Sequence, residues 1–169
     1  MAKSILVKKQ SEIKNSNTKW QKYPVLADEE TIVEDDYAEV TVRKAEFTNI
    51  VKPPTPGRFY TYYEVKDIGS TYAHIEIEIK NLNVTGARAD SIANVEVVYD
   101  NKYAYTGFST IEDKGGSDLT YTNITNIDPL DKRIIHYLFE VPLEVRESGK
   151  PVIFTITVNK DNFSYIFIG

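Results

Sequence analysis

The stretch Tyr72–Leu82, Tyr-Ala-His-Ile-Glu-Ile-Glu-Ile-Lys-Asn-Leu, constrains the fold more than any other part of the chain. Ala73, Ile75, Ile77 and Ile79 alternate with Tyr72, His74, Glu76, Glu78 and Lys80. A period of two puts one set on each face of a β-strand. A helix would scatter the isoleucines around its circumference. One face must be buried, and the other, with its acids and one lysine, is expected to sit in water. The expected element is a central strand of an antiparallel sheet, with a second sheet packed on its isoleucine face.

The same signal returns along the chain. Ala38, Val40 and Val42 share one parity, and after Arg43-Lys44 it changes to Ala45 and Phe47, which signals a β-bulge or a switch between sheets. Lys52-Pro-Pro-Thr-Pro-Gly57 cannot lie inside a sheet and reads as a stiff surface loop, with Phe59–Val65 as an edge strand or a continuation of it. Ile92–Tyr99 and Tyr103–Ile111 read as a hairpin around Asp100-Asn-Lys, and Asp113-Lys-Gly-Gly-Ser-Asp118 as a flexible tip. Ile135, Tyr137, Phe139 and Val141 form one face of a strand ending at Pro142, and Val152–Val158 with Phe163–Ile168 close the chain as a hairpin. About eight or nine short strands, with no convincing long helix, predict an all-β antiparallel sandwich over residues 31–169. Residues 1–30 are mostly polar and read as a flexible arm or tether, pinned by Trp20, Tyr23, Val25 and Leu26.

Composition removes several classes of function. The net charge is −5 over 169 residues, the wrong sign for a nucleic-acid binder or for docking on anionic lipid. With no cysteine there are no disulfides, thiolate metal sites or cysteine nucleophiles. No run of apolar residues is long enough to span a membrane as a helix.

Three pieces, in order, resemble a known pattern. Tyr72-Ala-His-Ile-Glu-Ile-Glu-Ile-Lys-Asn81 resembles an alternating strand ending in Lys-Asn; Asp128-Pro129 before Ile134–Phe139-Glu140-Val141-Pro142 resembles a proline turn followed by a Phe-Glu-Val-Pro strand; Val152–Ile168 fits a closing hairpin. Together they resemble a bacterial immunoglobulin-like domain family of unknown function, found on lipoproteins and secreted proteins of Gram-positive bacteria. Its fold is similar to that of the mycobacterial immunoprotective secreted antigen. Leu130-Asp131 stands where that family often has glycine and an acid, and no lipidated cysteine is present. The resemblance covers roughly residues 37–169. It implies an immunoglobulin-like sandwich with no catalytic residues, secreted or held at the cell surface, with an export signal removed ahead of Met1.

Candidate chemistry is sparse. The two histidines, His74 and His136, lie on separate strands, and a zinc site built on them would need added carboxylates. No Gly-x-Ser-x-Gly turn supports a Ser-His-Asp triad. Asp35-Asp36 with Glu29, Glu30 and Glu34, and Asp113 with Asp118, do not match a calcium loop. The expectation is therefore no enzyme, no cofactor and no metal. The tyrosines remain. Tyr60 and Tyr62 share a face if extended, as do Tyr103 and Tyr105, and exposed tyrosines anchor protein partners or stack on sugar rings. The leading expectation is a binding or structural module for an unknown protein or glycan at the cell surface. The alternatives are a carbohydrate-binding module using Tyr60, Tyr62, Tyr103 and Tyr105, or an accessory domain of a secreted enzyme.

Overall fold

The computed structural model of the protein describes residues 3–5 and 22–169. Along the chain the strands are β1 (Lys3–Ile5), β2 (Thr31–Glu34), β3 (Ala38–Thr48), β4 (Ile50–Val51) and β5 (Tyr63–Glu64). There follow β6 (Ser70–Asn81), β7 (Ala87–Arg88), β8 (Ala93–Tyr99), β9 (Tyr103–Tyr105) and β10 (Gly107–Glu112). The last are β11 (Leu119–Tyr121), β12 (Asn126–Ile127), β13 (Lys132–Pro142), β14 (Val152–Val158) and β15 (Asp161–Phe167). Short helical turns at Ala89–Ile92, Thr122–Ile124 and Leu143–Glu147 complete the regular structure of the described residues.

Two antiparallel sheets pack face to face. One has seven strands in the order β1-β2-β3-β6-β13-β10-β11, and the other four, β15-β14-β8-β9. Two small ribbons, β4-β5 and β7-β12, lie outside them. The all-β sandwich expected from the alternation is therefore what forms, with β6 at the centre of the larger sheet. Ile75, Ile77, Ile79 and Ile135 meet Val95, Val97, Phe154, Ile156 and Phe163 in one core. Full burial of each such side chain contributes about 1.5–3 kcal/mol.

The parity change in β3 is a bulge: the register against β6 shifts between Val42 and Lys44. Without it Glu46 would point into the core with Val42; the extra residue turns Lys44 and Glu46 to the outer face and keeps Ala45 and Phe47 inside. The expected hairpin after Ile92 is shorter than its sequence pattern. β8 pairs with β9, but the chain then crosses to the other sheet, where β10 pairs with β13. Gly107 sits at that crossing, where a Cβ would meet Phe139 Cδ1 at 2.4 Å and the Leu138 carbonyl at 2.5 Å.

Two expectations about the outer face of the larger sheet are corrected. Its Tyr72 end is not in water. The loop from Ile50 to Val65 folds over it, and Val51, Tyr72, Leu119 and Leu138 form a second small core, with Tyr63 and Val65 packed against it. Nor is the 113–118 segment a free tip. The Asp113 carboxylate accepts from the Ser117 amide and hydroxyl, and Gly116 takes φ +71°, a left-handed conformation that glycine adopts without a Cβ penalty. This turn then holds the proline loop: the amides of Thr55 and Gly57 donate to the Gly116 and Ser117 carbonyls, and the Thr61 amide to Asp118 Oδ1.

Within the segment expected to be an arm, Lys3–Ile5 pairs with β2. Val25 and Leu26 are buried, the Leu26 amide donates to the Ser164 carbonyl, and the Ser164 amide donates to Pro24. Trp20 lies outside the described residues.

Candidate functional site: a buried histidine pair

Sheet register assembles the site. On the outer face, Glu46 of β3 stands directly opposite His74 of β6. His136 of β13 stands opposite Glu76 of β6 and opposite Thr110 of β10. Since His74 pairs with Leu138, His74 and His136 are diagonal neighbours, close enough for long side chains to touch. Glu112, two residues beyond Thr110, reaches His136 from the other side. Four adjacent strands thus lay out the row Glu46, His74, His136, Glu112, with Glu76 beside it.

The contacts are short. His74 Nδ1 is 3.1 Å from Glu46 Oε1, His74 Nε2 is 2.8 Å from His136 Nδ1, and His136 Nε2 is 2.7 Å from Glu112 Oε2. The two rings meet edge to edge through His74 Nε2 and His136 Nδ1, with centroids 5.1 Å apart and planes 18° from parallel. His136 Nδ1 also lies 3.8 Å from Glu76 Oε2. His74 is 2% exposed and His136 3%, although parity places both on the outer face. The expectation that the outer face is wet at His74 fails because the chain covers it from above. Val51, Lys52 and Pro54 roof a cavity of about 250 Å³ over the row.

Electrostatics follow from this burial. Desolvation pushes the His74 pKa down, opposed by the hydrogen bond to Glu46. The His74 ring, with Lys44 at 2.8 Å, holds the Glu46 carboxyl down to about 2. The Arg133 guanidinium donates twice to the Glu112 carbonyl and so anchors that end of the row. Chemically, the ligand atoms of His74, Glu76 and His136 all lie within 4.8 Å of one another, a spacing on which a metal ion could sit. Of these residues the sequence reading singled out only the histidines. Glu76 was legible as a same-face neighbour of His74, but nothing local marked Glu46 or Glu112, which arrive from other strands.

The tyrosines fall into two places. Tyr60 and Tyr62, on the covering loop, have ring centroids 6.2 Å apart and tilted by 55°. Tyr62 is 51% exposed and borders an open cleft with Tyr63, Val65, Tyr72 and Phe108. Tyr103 and Tyr105 belong to the smaller sheet, where they pair with Tyr99 and Val97, two residues of the core. Tyr103 stacks on Tyr99 at 5.9 Å, and Tyr105 packs against the core edge. The four do not form one surface. The acids Asp113 and Asp118 are occupied as hydrogen-bond acceptors of their own turn and of Thr61.

No protein-family model and no curated protein sequence matches this chain. Two solved structures resemble it. An uncharacterized β-sandwich protein from Clostridium difficile 630 superposes with a TM-score of 0.79 at 28% identity, covering 89% of this chain and 98% of its own. A conserved hypothetical protein from Bacillus anthracis superposes with a TM-score of 0.54 at 15% identity, covering 82% and 93%, a likeness of fold alone. The chain is thus a β-sandwich protein similar to others whose role is unassigned.

Proposed function

We propose that the protein is a non-catalytic, immunoglobulin-like binding module that works outside the cell or at its surface and engages a protein partner. The observation that carries this reading is the aromatic cluster where the covering loop meets the larger sheet. Tyr62, 51% exposed, and Phe108, 42% exposed, flank Tyr63 and Tyr72 around the open cleft. Exposed aromatic anchors of this kind supply contact area with few torsions to freeze. The loop that bears Tyr62 is itself tied to the 113–118 turn, so binding orders little further chain. A sugar-stacking platform is less favoured, because the Tyr63 and Phe108 rings are tilted by 54° and Tyr60 and Tyr62 by 55°.

The absence of turnover is supported by the histidines. Their hydrogen bonds among the described residues run to carboxylates and to each other, not to a hydroxyl that they would activate. The test is to immobilise the full chain and the Tyr62→Ala/Phe108→Ala variant, and to challenge both with extracted cell-surface proteins and with a glycan array. The expected result is a protein ligand lost from the variant while circular dichroism is unchanged, and no glycan signal. Glycan binding abolished by the same substitutions would replace this reading with the carbohydrate one. Hydrolysis of a generic ester or glycoside would contradict it.

A further inference from the structure

The row Glu46, His74, His136, Glu112 holds three close polar contacts, and two imidazoles in the neutral form would bring only one N–H each to them. Both outer contacts join a ring nitrogen to a carboxylate oxygen, and an ionised carboxylate only accepts. With the rings in that form and the carboxylates ionised, each ring would commit its N–H outward, His74 through Nδ1 and His136 through Nε2. His74 Nε2 and His136 Nδ1 would then be left facing each other, lone pair to lone pair, at 2.8 Å. Two buried acceptors in that arrangement need a positive centre between them.

We propose that His74, His136 and Glu76 form a binding site for a divalent transition cation, with Glu46 and Glu112 as the outer carboxylates that orient the two rings. Two imidazoles and one carboxylate are a donor set suited to zinc and its neighbours in the first transition row. With zinc–nitrogen bonds of about 2.0–2.1 Å, two nitrogens at tetrahedral angles stand roughly 3.3 Å apart, so the rings need to separate by about half an ångström and each to tilt by roughly 35° to aim its lone pair at the ion. The outer carboxylates fix the tautomers a metal requires, leaving the facing nitrogens unprotonated. The third donor, Glu76 Oε2, lies 3.8 Å from His136 Nδ1, and Glu76 is the least buried of the three ligands. A cation here would join β6 to β13 directly and β3 and β10 through the carboxylates, which spans the middle of the larger sheet.

The rival occupant is a third proton shared between the rings. The deciding experiment is calorimetric titration of the full chain, without a histidine tag, with zinc. It is paired with long-range proton–nitrogen spectra of the imidazoles before and after metal addition. The expected result is saturable 1:1 binding, with His74 Nε2 and His136 Nδ1 shifted and the outer N–H groups retained. The melting temperature should rise by about 5–10 °C at a hundredfold excess over Kd and fall back with chelator. Glu112→Gln should weaken zinc roughly 10- to 100-fold through the lost carboxylate partner. The double variant His74→Gln/His136→Gln, checked for fold by circular dichroism, should lose the site. Zinc binding that survives the double variant would assign the ion to surface acids and overturn the proposal. So would an absence of zinc binding, and a proton resonance bridging the rings would then name the third proton as the occupant.

Discussion

The two halves of one strand face make the instructive contrast. On the outer side of β6, Tyr72 and His74 lie at one end and Glu78 and Lys80 at the other, all of the same parity. The first pair is buried beneath the proline loop, with a small apolar core on one side and the histidine row on the other. The second pair stays half-exposed in an ion-pair lattice: Arg43 donates to Glu78 and Glu29, and Lys80 Nζ lies 3.6 Å from Glu39. Alternation decides which way a side chain points. What lies above it is decided by a segment that arrives from elsewhere, and among the described residues only one end of this face receives such a segment.

If the covered end is a true core, the largest effect comes from removing its centre. Leu138→Ala should lower stability by about 2–5 kcal/mol in denaturant unfolding, since the side chain is fully buried. A cost below about 0.5 kcal/mol would mean that this end behaves as open surface.

A smaller effect, and one that comes from the inner face of the neighbouring strand, is expected at Tyr137. Its hydroxyl donates to the Ala93 carbonyl at 3.2 Å, and burial pushes its pKa well above that of a free tyrosine. Tyr137→Phe should cost about 0.5–1.5 kcal/mol at neutral pH. The raised native pKa means that the unfolded chain loses this proton first, so the native state binds more protons above pH about 10 and stability falls as pH rises. Equilibrium unfolding of the wild type between pH 10 and 11 should therefore show a downward slope steeper than that of Tyr137→Phe, by up to about 1.4 kcal/mol per pH unit. Parallel slopes would show that Tyr137 is not shielded.

The smallest effect belongs to the bare end. Arg43→Ala breaks two ion pairs, yet should cost less than about 1 kcal/mol and lose even that in high salt. A loss as large as that from Leu138→Ala would erase the distinction between the two halves.

The sequence revealed much of the fold for a physical reason: the apolar parity of β6 and β13 and the parity break after Val42 are local patterns, each readable within a dozen residues, though only the structure makes that break a bulge rather than a switch of sheets. The candidate site was not readable in this way. Glu46, His74, His136 and Glu112 meet only because β3, β6, β13 and β10 lie side by side, an order no single segment encodes. The covering loop escaped for the same reason. Its prolines announced a stiff loop, but its docking depends on the Asp113–Asp118 turn some 60 residues away, whose glycines read as mobility until Gly116 is seen to accept from Thr55.

The claim on which the rest depends is that His74 and His136 sit sealed under that loop. They are the chain's only two histidines, so chemical modification with diethyl pyrocarbonate, followed residue by residue with mass spectrometry, addresses it directly. Both rings should resist the reagent in the native protein and react fully once the chain is unfolded. Modification of either at the rate of an exposed histidine, with the sandwich intact, would contradict the account.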